Sequence, residues 1–190
     1  MSKIYKINNH LMEYNNNCID AIGARQLPTG IQIGSQIWES SNLSYDDGGE
    51  GITIRNVTAN GVNFGTQYYY TWDAAVRVAN KIPGWHLPTQ VDWNILVSYA
   101  GGDTAAKKKL ISTTGWDNGY NGTDDYGFSV IPVGRLWNND MDGRGGAAYF
   151  WTSQVYNSAQ AYYRSFTNVG PVYYNYTNKN WAYSIRLVKD

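Results

Sequence analysis

From residue 112 to the end of the chain no stretch keeps a helical period, and turn chemistry recurs every few residues. The turn clusters are Gly115, Asn118-Gly119, Asn121-Gly122, Asp142-Gly143 and Gly145-Gly146, with short apolar runs at 126–132, 147–153 and 184–188 between them. Gly, Asn and Asp supply the positive φ angles that tight turns need, so this half is confined to short antiparallel strands joined by loops.

The first half reads differently. Ile31, Ile33, Ser35 and Ile37 alternate with Gln32, Gly34, Gln36 and Trp38, as in a half-buried strand. Asp46-Asp47-Gly48-Gly49 is a turn, residues 52–57 form a second strand and Asn60-Gly61 a second turn. Thr71 caps a helix through Asn80, with Trp72, Ala75, Val76 and Ala79 inward and Pro83-Gly84 as its stop. Thr89-Gln90-Val91-Asp92 is a capping box with Asp in place of Glu. Its helix turns Trp93, Leu96, Val97 and Ala100 inward and ends at Gly101-Gly102. Asp103 caps a short third helix through Leu110, with Lys107, Lys108 and Lys109 on its solvated face. Helices followed by many short strands predict an α+β fold. Residues 1–30, broken by Asn15-Asn16-Asn17, Gly23 and Pro28-Thr29-Gly30, read as an N-terminal arm for attachment or oligomerisation.

Composition excludes several classes. Fifteen Lys+Arg balance fifteen Asp+Glu, which argues against a nucleic-acid partner, because that affinity rests on a basic surface. The single Cys18 excludes an internal disulfide or a thiolate metal cluster. No apolar run nears the roughly 18 residues of a membrane span. The polar start lacks the apolar core of a signal peptide.

Six phrases occur in a telling order. They are Ile33-Gly34-Ser35-Gln36-Ile37-Trp38 with Asn42-Leu43, then Tyr70-Thr71-Trp72-Asp73-Ala74-Ala75, then Pro83-Gly84-Trp85-His86-Leu87-Pro88-Thr89 with Asp92-Trp93. Residues 121–128 (Asn-Gly-Thr-Asp-Asp-Tyr-Gly-Phe), Tyr149-Phe150-Trp151-Thr152-Ser153 and Tyr183-Ser184-Ile185-Arg186-Leu187 follow. In this order they resemble the Fibrobacter succinogenes major paralogous domain, over roughly 31–190. The resemblance implies a C-type-lectin-like fold related to formylglycine-generating enzymes: two main helices packed on small twisted antiparallel sheets, with long loops. The enzymes of that group need reactive cysteines late in the chain, and none follows Cys18, so the expectation is no enzyme and no cofactor.

Residues 149–183 have an odd vocabulary. They hold eight Tyr and five Asn but no Leu, Ile, Met, Asp or Glu, and only Arg164 and Lys179 are charged. Tyr and Trp give contact area at low entropic cost while Ser, Gly and Asn give adaptable hydrogen bonds, as in a paratope. The plainer alternative is a surface sheet rich in Tyr because strands favour it. Around the segment, 150–153, Arg164, Phe166, Gly170-Pro171 and 184–187 read as framework, and 155–158, Tyr162-Tyr163, Ser165, Thr167 and 172–178 as exchangeable display positions within a variable-type segment 154–183. This resembles the variable region of proteins diversified by retroelements. The expected ligand-binding residues are Tyr156, Asn157, Tyr162, Tyr163, Ser165, Thr167, Tyr173, Tyr174, Asn175, Tyr176, Asn178 and Trp181.

Other constellations read more plainly. Asn138, Asp140 and Asp142 are spaced like the opening of a calcium loop, but position twelve is Tyr149 instead of a bidentate Glu, so an ordinary turn is the favoured reading. His86 reads as a hydrogen-bonded core residue. Asp124-Asp125 reads as turn chemistry in preference to an acid–base pair. Four glycosylation sequons, at Asn42, Asn56, Asn121 and Asn175, are expected by chance in a chain this rich in Asn and Thr.

The sequence therefore predicts a non-enzymatic ligand- or receptor-binding protein whose C-terminal face meets a bacterial surface protein or glycan. Its expected place is a virion, as on a phage tail, or an extracellular surface. The alternative is a fixed structural or adhesin subunit of such an assembly, with the arm mediating assembly.

Overall fold

The computed structural model describes residues 3–7, 10–14 and 28–190. In the N-terminal part, strands β1 (Lys3–Ile7) and β2 (His10–Tyr14) pair as an antiparallel hairpin. The contacts expected of the arm lie outside the described residues.

Gly34 breaks the alternating run 31–38 in two. It adopts φ 60°, and the chain reverses there to pair β3 (Gly30–Ile33) with β4 (Gln36–Glu39). Strands β5 (Ile52–Ala59) and β6 (Val62–Tyr70) form a long hairpin around Asn60-Gly61, where both φ angles are positive as a type I′ turn requires. Helix α1 (Trp72–Ala79) follows, with the Thr71 side chain accepting the Ala74 N–H. Short β7 (Trp85–His86) leads to α2 (Gln90–Tyr99), whose Thr89–Asp92 capping box is formed in both directions. In α3 (Asp103–Leu110) Asp103 is the first helical residue and Gly102 takes the cap position without a side-chain bond. Then come β8 (Arg135–Trp137), β9 (Asp140–Asp142), β10 (Ala147–Val155), β11 (Gln160–Thr167), β12 (Tyr173–Asn178) and β13 (Val188–Lys189).

Residues 28–190 thus form eleven strands in four small sheets, ordered β3-β4-β13-β7, β5-β6, β8-β9 and β10-β11-β12. This corrects the expected α+β, C-type-lectin-like architecture. The molecule is mostly β, and its three helices of 8, 10 and 8 residues are too short to be a two-helix layer under a sheet. The physical reason lies in segments whose strand character was hidden. Gly65 interrupts the pattern of β6, Tyr and Asn fill β12 where Val and Ile would signal a strand, and β8 and β9 coincide with the calcium-like spacing.

Strand β10 runs through the middle of the core. Phe150 faces the cluster of Trp38, Trp93, Phe128 and Phe166 beneath α2. Its neighbour Trp151 points the other way, to Tyr183, Val78 and Ile185 beneath α1. The two helices therefore cover opposite faces of one strand.

The fully buried Arg186 ties the sheets together. Its guanidinium donates to the carbonyls of Phe128 and Ser129 and to Asn42 Oδ1 (3.2 Å), and it lies 4.4 Å from the Phe128 ring centroid. Burial holds its pKa down, to about 10. Asn42 also donates towards Gln67 Oε1 and Ser184 Oγ, so a buried polar network links the loop after β4 to β6 and to the segment before β13.

Candidate ligand-binding face

The three-stranded sheet β10-β11-β12 carries the Tyr-rich segment, and its registers decide which side chains meet. Tyr162 lies opposite Tyr176, Arg164 opposite Tyr174 and Gln160 opposite Asn178. The alternate set pairs Tyr163 with Asn175 and Ser165 with Tyr173, and continues on β10 to Trp151 and Tyr149. Nine of the twelve expected residues lie on β11 and β12, where alternation puts them on two opposite faces of the sheet, while Tyr156 and Asn157 lie in the β10–β11 hairpin and Trp181 follows β12.

On the first face the rings form a row. Tyr156, from the β10–β11 hairpin, stacks on Tyr176, and Tyr162 meets both edge-on. Tyr162 then stacks on Tyr174 with centroids 4.8 Å apart. Arg164 lies 4.8 Å from the far side of the row, at the Tyr174 ring, and its Nη2 donates to Asn94 Oδ1 on α2. Desolvation lowers the Arg164 pKa and raises that of Tyr174, whose hydroxyl is buried. The Tyr176 pKa is also raised, first by hydrogen bonding with the Tyr156 hydroxyl. Beyond Arg164 the buried Phe150 and Phe166 anchor the sheet to α2. At the hairpin tip, Asn157 donates to Gln160 Oε1 (2.8 Å) and caps the turn through the Ala159 N–H, so its amide also has a structural task.

The second face is more enclosed. Tyr163 and Tyr149 pack on buried Tyr183, and Trp181 meets the same ring edge-on. Arg135 of β8 is sandwiched between Tyr149 (4.5 Å) and Trp181 (4.4 Å) and paired with Asp142. Exposed Trp137 lies against Trp181 with centroids 5.7 Å apart. Ser165 is only 4% exposed, between Tyr149 and Tyr173, and is closed to a ligand. Thr167 turns its hydroxyl onto the Val169 carbonyl, whereas Tyr173 and Asn175 are open. Arg135 and Trp137 join this face from outside the tail segment, and their apolar-aromatic neighbourhood had no signal in local sequence spacing.

The calcium-like segment is a hairpin. Asn138 and Asn139 take φ 49° and 66° as its type I′ turn, and Asp142 is held by Arg135. Among the described residues no three His, Cys, Asp or Glu side chains converge as metal ligands. His86 is hydrogen-bonded as expected but not in the core: it sits half-exposed between Asp190 (2.7 Å) and Asp92 (3.3 Å). Asp124, at φ 49°, accepts the Ser129 N–H and so shapes a turn.

A family model described as the Fibrobacter succinogenes major domain matches residues 31–189. The chain belongs to the Fibrobacter succinogenes major domain family. No curated protein and no solved structure matches it. In this Fibrobacter succinogenes major domain the phrases that carry the resemblance are largely scaffold. Trp38, Trp93, Phe128, Phe150, Trp151 and Arg186 are all buried, and Thr71 and Thr89 are helix caps. No helix among the described residues is long and apolar enough to cross a membrane.

Proposed function

We propose that the chain is a non-enzymatic ligand- or receptor-binding protein that displays the row Tyr156, Tyr176, Tyr162 and Tyr174 to a bacterial surface protein or glycan. Its setting is a phage tail or another extracellular surface. The observation that carries this reading is the row itself: Tyr156 and Tyr176 stacked at the surface, continued by half-buried Tyr162 and Tyr174 and backed by Phe150 and Phe166 in the core. Stacked rings lose little entropy on binding and offer both flat apolar area and hydroxyl tips.

Diversification of this surface by a retroelement is part of the proposal. Its support is the division of burial. Framework positions Phe150, Trp151, Thr152, Arg164, Phe166 and residues 184–187 are buried and Tyr156, Asn157, Tyr173, Asn175, Tyr176 and Asn178 are exposed, although display positions Ser165 and Val172 are buried and framework Gly170 is exposed. Exchange at the exposed display positions would leave the core unchanged. Deep sequencing of the 3′ end of the gene from a natural population tests it. Substitutions gathered between residues 155 and 183, with 149–153 and 184–187 silent, are expected. Even or absent variation overturns diversification.

One observation favours a fixed assembly subunit instead. Among the described residues β12 is an edge strand, and Tyr173–Asn178 contains no charge or Pro to discourage pairing with another chain. Sedimentation of the chain and of Thr177→Lys decides this: an oligomer that the substitution disperses supports assembly through the edge.

A further inference from the structure

Where the sheet ends, three pieces of chain border a shallow, open cleft of about 410 Å³. The β10–β11 hairpin contributes Ser158 and Ala159. The end of β12 contributes Asn178 and the residues after it, Lys179 and Asn180. The first turn of α1 contributes Thr71 and Asp73. The walls are tied together by backbone bonds: Lys179 N–H to the Ala159 carbonyl at 3.0 Å, and Trp72 N–H to the Lys179 carbonyl at 2.9 Å. The segments that border the cleft are thus fixed to one another by main chain.

Its lining selects a ligand class. Apart from Ala159 every lining side chain ends in a polar group, while the Ala159 methyl and the stems of Thr71 and Lys179 leave comparable apolar surface, so the cleft suits a ligand that is itself mixed, with apolar C–H faces and polar edges. One carboxylate and one ammonium cancel, so neither a strong anion nor a strong cation is favoured. The Lys179 ammonium also rests over the Trp72 ring, 4.4 Å from its centroid. What remains is a carboxylate and two amides beside hydroxyls, a set that accepts from and donates to groups that each do both. Neutral polyhydroxylated ligands match it. Tyr176 is two residues from Asn178 along β12, about 7 Å away, and with Tyr156 offers a flat apolar surface next to the cleft.

We infer that the cleft is a subsite for a neutral saccharide, with Asp73, Asn178 and Asn180 binding its hydroxyls and the Tyr156–Tyr176 pair holding the adjoining unit. The inference rests on the proposed binding function and narrows it to glycans. The amide groups of the whole chain are followed by NMR while maltotriose, cellotriose and mannotriose are added in turn to millimolar concentration. Saturable shifts at Asn178, Asn180 and residues 71–73 are expected with at least one of the three. D73A/N178A should weaken that binding about tenfold or more, as for loss of two hydrogen-bonding groups. These positions are exposed or at a strand end, and an unchanged spectrum elsewhere verifies that the variant is folded. Shifts confined to the Tyr row, or none at all with the three sugars, overturn the cleft as a subsite. Cleft shifts that persist unchanged in Y156A/Y176A support the cleft and remove the Tyr row from the function.

Discussion

Tyr156 and Tyr176 lie ring on ring, with centroids 3.7 Å apart and planes 8° from parallel, although one belongs to a hairpin and the other to an edge strand. The two are 46% and 40% exposed, so the contact is made at the surface and not in the core. Truncating either leaves no cavity, because solvent already reaches both. Tyr156→Ala and Tyr176→Ala are each expected to weaken ligand binding about tenfold or more while leaving the melting temperature nearly unmoved. Binding assays beside thermal melts check this. A large fall in melting temperature would make the rings structural.

Tyr174 behaves differently although it neighbours Tyr176 in the same row. Its hydroxyl is buried beside that of Tyr162, and its ring covers Arg164. Removing only the hydroxyl gives up a weak contact with Tyr162 but also the cost of burying a polar group, so Tyr174→Phe is expected to stay within about 1 kcal/mol of wild type. Tyr174→Ala uncovers the guanidinium and is expected to cost about 1–3 kcal/mol. Urea unfolding of the two variants separates ring from hydroxyl, and a Tyr174→Phe as destabilised as Tyr174→Ala would show that the hydroxyl, not the ring, holds this position.

Much of the scaffold could be read from local chemistry. The caps at Thr71 and Thr89 and the inward residues Trp93, Leu96 and Val97 follow from helical spacing, which is a property of a few adjacent residues. The position of Tyr and Asn in 149–183 was legible as composition, but the division into two faces was not. That division depends on the registers Tyr162–Tyr176 and Tyr163–Asn175, which join residues far apart in sequence. The same limit hid Arg135 and Trp137. Their partners Tyr149 and Trp181 arrive only when β8 docks beside the sheet, as the Leu136–Ala182 bridge records. The mostly β architecture was missed because Gly65 and the Asn-rich strands carry weak strand signals, and pairing overrides propensity.

Arg186 gives a sharper test of the scaffold. Its three-way grip on the Phe128 and Ser129 carbonyls and Asn42 leaves those acceptors stranded if the guanidinium is lost. Arg186→Met is expected to cost about 2–5 kcal/mol, since each buried acceptor left unpaired costs about 1–3 kcal/mol. Lys cannot reproduce the fork, so Arg186→Lys should also destabilise clearly. Chemical denaturation measures both, and wild-type stability in Arg186→Lys would mean that a single charge suffices.

Stability should also fall in acid, through Asp47. Its carboxylate accepts from Arg77 Nε at 2.9 Å and Lys81 Nζ at 2.7 Å, and its side chain is enclosed by them. The Arg77 hydrogen bonds, then that of Lys81, outweigh partial burial and hold its pKa far below the ordinary carboxylate value. A group with a depressed folded pKa stabilises fully above its unfolded pKa, about 3.9, and loses that contribution as pH falls towards the folded value. Asp47→Asn removes the contribution at every pH. The variant should therefore melt below wild type at neutral pH, and the two should converge as pH drops below about 4. Melting curves from neutral to strongly acidic solution follow both proteins, and a gap that stays constant with pH would show that the loop from Asp46 to Glu50 is held by contacts other than the Asp47 charge.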